Sequence, residues 1–525
     1  MATRDTSIYP AASKTAAGPS ARALCRASYS DLAPALSSGS PASPASLEDK
    51  TPAAAPIAPH AATETALQGL NAGGISARLD RLPATRTVWR LVMLLSLGMF
   101  FELYDLLFTG YVAPALVKSG ILSSTTHGLF GTTGVASFIA ALFAGLFIGT
   151  AACGVLADKF GRRAIFTYSL LWYTAANVIM AFQDTALGLN LWRFIAGIGI
   201  GVEIVTIGTY IAELVPKHIR GRASACSQAV GFCAVPFVAF TSYLLVPRTV
   251  LGLDGWRCVV LLGASGALVV WWIRRHLPES PRWLAQQGRV AQADRVMSAL
   301  EAQVERDCGH PLPAPAAPEP VRARANFRDM WVAPYRRRTL MLIVFHVFQT
   351  MGYYGFANWI PTLLIKQGIT VTNSLLYASI IAIAAPCGPL IGLWIGDRIE
   401  RKTVIVCMAA VNVVCGLCFS QARETVLLIS LGVCLVLAGN IISYSYHAYQ
   451  AELFPTGIRA RAVGFVYSWS RMSAVFSAFL IAACLREFGV AGVFVFISVA
   501  MAIVMIAIGV FGPRTRDVAL EDISR

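Results

Sequence analysis

Three acids and two arginines, Arg193 among them, stand where a long apolar chain should carry no charge. Glu102 and Asp105 lie in FFELYDLLFTG, Glu203 closes RFIAGIGIGVE, and Arg471 interrupts YSWSRMSAVFSAF. A charge at the centre of a membrane helix costs about 3 kcal/mol in insertion terms, so each needs a chemical reason. Glu102 and Asp105 are spaced i, i+3 and share one helix face with Thr109 close by. Two carboxylates at short range in a low dielectric repel, which is the electrostatic requirement of a group that picks up and releases a proton. The same pair can instead hydrogen-bond a substrate or enter a structural ion pair. Glu203 lies deeper than Arg193 on the same helix. It can join the proton site, or pair with Arg193 or an opposed helix. Arg471 cannot give up its proton and has no acid nearby in sequence. It requires a protein carboxylate or an anionic ligand.

The elements that must position these residues are membrane helices. The chain has 525 residues, of which 56% are hydrophobic and only 14% charged, and its mean hydropathy is +0.61. A soluble protein of this size would need far more polar surface. Twelve apolar runs of roughly membrane-crossing length fall at 89–116, 129–156, 164–183, 187–213, 224–247, 256–274, 339–365, 374–396, 403–420, 426–451, 462–484 and 489–512. Lys and Arg crowd the loops of one side: Arg78, Arg81, Arg86 and Arg90, then Lys159 to Arg163, Lys217 to Arg222, Arg398 to Lys402, and Arg459 with Arg461. This positive-inside bias predicts a multi-pass cell (inner or plasma) membrane protein with both termini cytoplasmic. The net charge of +15 is thereby read as topology, and a nucleic-acid partner is not expected. Most of the twelve cysteines fall within the apolar runs and read as small helix-packing residues. Residues 1–85 are read as a cytoplasmic tail, disordered through its Ala/Ser/Pro-rich part.

The chain repeats itself. Asp158-Lys159-Phe160-Gly161-Arg162-Arg163 aligns with Asp397-Arg398-Ile399-Glu400-Arg401-Lys402, and AELVPKHIRGRA from Ala212 aligns with AELFPTGIRARA from Ala451, both at an offset of 239 residues. Two charged motifs in one register predict two parallel six-helix halves, 86–275 and 338–513. A central cytoplasmic segment, 276–337, joins them, and a short tail, 514–525, follows. GVLADKFGRR after the second run, RFIAGIGIG in the fourth, PESPRWL after the sixth and the repeated AEL-x-P-x-x-I-R-x-R stand in order on the expected sides. In these motifs the chain resembles the major facilitator superfamily over roughly residues 85–515, in its sugar-porter and metabolite-symporter branch.

The resemblance implies an all-α membrane protein of twelve transmembrane helices in two pseudo-symmetric bundles, the major facilitator fold. It also implies alternating access for a small-molecule substrate. It suggests a cytoplasmic gate built from Asp158, Arg162, Arg163, Glu213, Arg220, Glu279, Arg282, Asp397, Arg401, Glu452 and Arg459. Glu400 stands where the first half has Gly161, which changes the second turn and adds an acid. The acid-x-x-acid spacing of Glu102 and Asp105 is similar to that of aromatic-acid/proton symporters, with Glu-Leu in place of Asp-Gly. Organic-anion carriers similar to this branch use an arginine in the eleventh helix for the substrate, the place of Arg471.

Polar density at membrane depth marks the expected cavity. The seventh run, HVFQTMGYYGFANWIP, offers Gln349, Tyr353, Tyr354 and Asn358, with Pro361 expected to bend it. The tenth offers Asn440, Tyr444 and His447, and the first adds Tyr104. The paired-glutamine and tryptophan motifs of hexose carriers are missing, which directs the expectation to a small carboxylate. The expected function is secondary active transport of a small polar metabolite, an organic anion, by proton symport. The protein is expected to be a monomer in the lipid bilayer, without cofactor or metal, and not an enzyme. A sugar or polyol carrier and a non-transporting nutrient sensor are the competing readings. The absence of a Gly-Lys-Ser/Thr phosphate loop gives direct ATP drive no support.

Overall fold

A computed structural model of the protein describes residues 73–123, 133–266, 269, 272–273, 276–316, 327–396, 398–454 and 456–515. Among them, ten helices are long and apolar enough to cross a membrane, and a shorter apolar helix, Gly255–Ala264, belongs to the sixth crossing. The last of the ten, Thr456–Phe511, folds back at Gly489, whose φ of 65° and ψ of −161° break the helix. Ile481 and Ile497, placed symmetrically about that glycine, both pack at Gly355. The described residues therefore make twelve helical crossings. A helix satisfies its own backbone groups, which lipid cannot do.

Local sequence explains the breaks. The seventh crossing runs as Tyr335–Ala357 and restarts as Ile360–Lys366, with Pro361 in the first turn of the second piece. Proline lacks the N–H that a continuous helix would need there. The eighth divides into Val371–Ala382 and Cys387–Gly396 around Pro386. The fifth divides into Arg220–Phe232 and Ala234–Leu245, just ahead of Pro236.

Small residues set the closest packing. Gly145 and Gly149 of Gly134–Phe160 face Gly197 and Gly201 of Ala186–Leu214, the second and fourth crossings. A Cβ on Gly149 would lie 2.1 Å from the Ile198 carbonyl oxygen, and one on Gly201 2.4 Å from that of Leu146. Each pair is spaced as small-xxx-small, which lets two backbones meet without side chains between them. Gly149→Ala is therefore expected to cost about 1–3 kcal/mol by overpacking. The cost should appear as a lower melting temperature of the detergent-purified protein, and an unchanged melting curve would refute the contact.

The two halves touch on the side away from the charged loops. Gly110 of the first crossing, Arg86–Lys118, lies against the Asn358 backbone at the break of the seventh. Nearer the centre, Phe143 meets Tyr354 with ring centroids 4.7 Å apart.

Two segments differ from the sequence expectation. Helical structure is present before residue 86: residues 73–80 form a helix that buries Ile75 and Leu79, with Leu82 just beyond it. The central segment holds a helix, Val290–Cys308, that buries Ala293, Met297, Leu300 and Val304, a helical stripe the sequence carries openly. The two are strapped together, with Arg78 2.7 Å and Arg81 2.6 Å from the Glu301 carboxylate. Burial alone would raise the Glu301 carboxyl, but the bonds from Arg78 and Arg81 win and hold it below the usual carboxylate range. Its contribution is present at neutral pH and is lost as acid protonates it.

Candidate functional site

A cavity of about 100 Å³ lies between the halves near mid-membrane. Glu102 lines it from the first crossing, Gln228 and Phe232 from the fifth, and Gln349, Tyr353 and Tyr354 from the seventh. Ser443, Tyr446 and His447 come from Thr425–Glu452, the tenth, and Tyr467, Ser470 and Arg471 from the eleventh. A smaller, mostly apolar extension of about 50 Å³ shares Gln349 and Tyr353 and reaches Tyr111, Phe356 and Asn440.

Arg471 is 4% exposed. It donates to the Tyr354 hydroxyl at 3.1 Å and to the Tyr467 hydroxyl at 2.8 Å, and its plane rests 4.9 Å from the Tyr467 ring centre. Its Nε has no partner, and among the described residues no carboxylate comes within ion-pair distance. Of the two needs set by the sequence, a contacting carboxylate is not supplied: Glu102 stands on the same cavity wall, within electrostatic reach of Arg471 but not paired with it. A buried guanidinium bonded only to neutral phenols is compensated only at a distance, by Glu102.

The two acids of the first crossing have different surroundings. Glu102 faces the cavity, and its Oε2 lacks a partner. Asp105 turns away into the first bundle, where Arg193 lies 3.3 Å from both of its carboxylate oxygens and Asn177 donates at 2.6 Å. Arg193 also donates to the Asp105 carbonyl and the Thr109 hydroxyl at 2.5 Å, and Phe108 and Phe138 flank its guanidinium. The pairing of Glu203 with Arg193 considered from sequence does not occur, because Asp105 occupies that arginine. Glu203 is fully buried behind Gly98, with the Tyr173 hydroxyl facing its carboxylate.

Several residues expected at the substrate sit elsewhere. Tyr104 is pointed at the sixth crossing and donates to the Val259 carbonyl at 2.7 Å. Tyr444 packs its ring on Gly392 of the eighth, so it is turned from the cavity. Asn358 lies outside both pockets, buried at the closed end with its side-chain oxygen and nitrogen unpartnered. Asn440 reaches only the apolar extension, where it accepts from Tyr353 at 3.0 Å and donates to the Ala385 carbonyl at 3.2 Å. Gln228, Tyr467 and Ser470 were not singled out from sequence. The signal for Gln228 was an amide inside an apolar run, and that for Tyr467 its position four residues before Arg471 on one helix face.

The charged side is built twice. In the first half Arg162 pairs with Glu213 at 3.1 Å, and in the second Arg401 pairs with Glu452, each pair 51 residues apart and offset by the repeat. Glu213 thus takes Arg162 rather than Arg220, which reaches toward the Val215 carbonyl. Glu452 takes Arg401 rather than Arg459, which donates to the Phe454 carbonyl at 3.1 Å. Glu279 accepts the backbone N–H groups of Arg162, Arg163 and Ser280 at 3.0–3.1 Å, so it caps the helix Arg162–Ala181. Gly161 makes that turn at φ 94°, where a Cβ would strike the Glu279 carboxylate. Arg282 extends the cluster to Asp80 at 2.8 Å. In the second half Glu400 keeps a φ of −53° and accepts the Thr515 N–H at 3.0 Å instead. Tyr210 and Tyr449, also 239 apart, donate to the carbonyls of Pro278 and Pro513. Asp397 and the Asp158 side chain lie outside the described residues.

The comparisons agree with this architecture. A family model described as sugar (and other) transporter matches residues 91–525. The chain is 32% identical over 442 residues to the putative metabolite transport protein YyaJ of Bacillus subtilis (strain 168), covering 83% of this chain and 95% of that protein. It is 28% identical over 451 residues to the niacin transporter NiaP of Acinetobacter baylyi, covering 85% and 99%. Among solved structures, the partially occluded inward open conformation of the xylose transporter XylE from E. coli superposes with a TM-score of 0.65 at 18% identity, covering 82% of this chain and 99% of that one. A duplicated twelve-helix body around a polar central cavity, matched along nearly the whole of its membrane region, is a membrane transporter and not an enzyme: the chain belongs to the sugar and metabolite transporter branch of the major facilitator superfamily.

Proposed function

We propose that this protein carries a small aromatic monocarboxylate by proton symport, with Arg471 binding the carboxylate. The observation that carries the reading is the buried Arg471 guanidinium, opened to the cavity between two phenols with no acid in ion-pair contact. An anionic ligand would neutralise it and use its unpartnered Nε. Phe232, Tyr353, Tyr354, Tyr446 and Tyr467 offer ring faces for a planar substrate. Gln349 and His447 offer polar edges, and Glu102 faces the same space. The similarity to a niacin transporter supports a pyridine or benzene carboxylate within that class.

Proton coupling falls to the acids of the first half. A proton on Asp105 removes the charge that holds Arg193, freeing a guanidinium bonded to the first crossing at Asp105 and Thr109. Glu203 lies buried in the same bundle, and Glu102 meets the substrate. The charged-side residues act as the cytoplasmic gate, with Arg162–Glu213 and Arg401–Glu452 holding the bundle ends that close it. The protein works as a monomer with both termini in the cytoplasm.

The test is uptake of labelled nicotinate, benzoate and xylose into proteoliposomes under an imposed inward proton gradient. Saturable accumulation of an aromatic acid, abolished by an uncoupler, is expected. Accumulation of xylose alone would favour the sugar-carrier reading, for which Gln228 and Gln349 would serve as hydroxyl partners.

A further inference from the structure

A second opening lies away from the substrate path. It is a groove of about 570 Å³ between the start of the seventh crossing and the end of the twelfth, on the side of the charged loops. Its walls are apolar and open: Leu340 is 50% exposed, Ile506 58% and Phe511 48%. It faces outward from the protein. Leu340 and Val344 each stand nine residues before a cavity residue, Gln349 and Tyr353, on one helix. Nine residues at about 100° each bring a side chain to the opposite helix face. The groove therefore opens on the lipid.

Two guanidiniums cap its charged-loop end. Arg336 and Arg337 line the groove, and Arg337 stacks 5.4 Å from the centre of the Phe511 ring. Such stacking leaves the N–H edge of a guanidinium free for an anion. The groove's lining holds no acidic residue. Their neighbour Arg338 is used differently, donating to the Leu453 carbonyl at 3.0 Å.

We propose that this groove seats an anionic phospholipid of the leaflet on the charged-loop side, its phosphate on Arg336 and Arg337 and one acyl chain along Leu340, Val344 and Ile506. The occupant follows from the charge and the geometry together. The eight residue steps from Arg336 to Val344 span about 12 Å of helix, enough for a glycerol backbone and the first part of a chain. Basic side chains at that boundary attract anionic headgroups over neutral ones.

The experiment is native mass spectrometry of the full chain released from detergent, with phosphatidylglycerol or phosphatidylcholine of identical acyl chains added. Phosphatidylglycerol should bind with higher occupancy, and Arg336→Gln with Arg337→Gln should lower it by about fivefold for each guanidinium removed. Ile506→Trp, which fills the acyl seat and leaves both arginines, should lower occupancy by both lipids. Millimolar inorganic phosphate should not displace the bound lipid. Equal binding of the two lipids by the unaltered protein, an undiminished phosphatidylglycerol excess in the double variant, or dimers in place of lipid adducts would overturn the proposal. Substrate uptake by the variants reports their folding independently.

Discussion

Arg471→Ala is expected to raise the half-saturating concentration of an aromatic carboxylate by about 100-fold or more, because truncating one partner of a buried hydrogen-bonded charge pair costs 2–5 kcal/mol. Arg471→Lys should recover only part of the loss. A lysine restores the charge but not the planar fork that grips a carboxylate while two phenols hold it in place. The alanine variant should still insert, since the Tyr354 and Tyr467 hydroxyls released by the change line a polar cavity with room for water molecules. Concentration-dependent uptake and ligand-induced thermal shift both read the effect. Unaltered kinetics in a correctly inserted Arg471→Ala protein would return this arginine to a packing role and remove the argument for an anionic substrate.

Asp105→Asn is expected to abolish accumulation while leaving exchange intact. Asparagine keeps the shape and retains an oxygen for Asn177, but it neither takes a proton nor pairs with the fully buried Arg193. Substrate should then equilibrate across the membrane, with the accumulation ratio falling to about 1 under any imposed pH gradient. Counterflow of labelled against unlabelled substrate should continue, because exchange needs no net proton movement. Glu102→Gln separates the roles: Glu102 lines the cavity, so its loss should alter substrate affinity as well. Gradient-driven accumulation by the Asp105→Asn protein would exclude the Asp105–Arg193 pair as the coupling element.

Much of this architecture was legible before any coordinates. Apolar run length reports crossings directly, because the bilayer has one thickness, and the repeat exposed the two halves. Depth was legible too: each acid and arginine flagged as buried is buried. Direction was not. Tyr104 lies between Glu102 and Asp105, yet one residue is about 100° of helix, and that rotation points it at Val259 in the sixth crossing. In the tenth crossing Tyr446 and His447 reach the cavity, while Tyr444 meets Gly392. In a membrane the helix face toward lipid and the face toward protein are both apolar, so the polar-out pattern that orients a soluble helix is missing. The partner exchange at the charged side has a similar origin. Glu213 and Arg220 are close in sequence, but Glu213 ends one helix and Arg220 begins the next, and Arg162 fills the space between.

The doubled charged-side clusters differ in when their members leave the ribosome. Arg162, Glu213, Tyr210 and Glu279 all precede the seventh crossing, and they bond to one another or to Pro278. The leading bundle thus has its full set of anchors before the trailing one is synthesised. The trailing bundle draws on the far end of the chain: Lys402 donates to Gly512 at 2.7 Å, Tyr449 to Pro513 at 2.8 Å, and Glu400 receives Thr515. Its last fastenings form only after translation has passed residue 515, so a stop codon a few residues upstream would leave an intact first bundle beside a second one unfastened at its base.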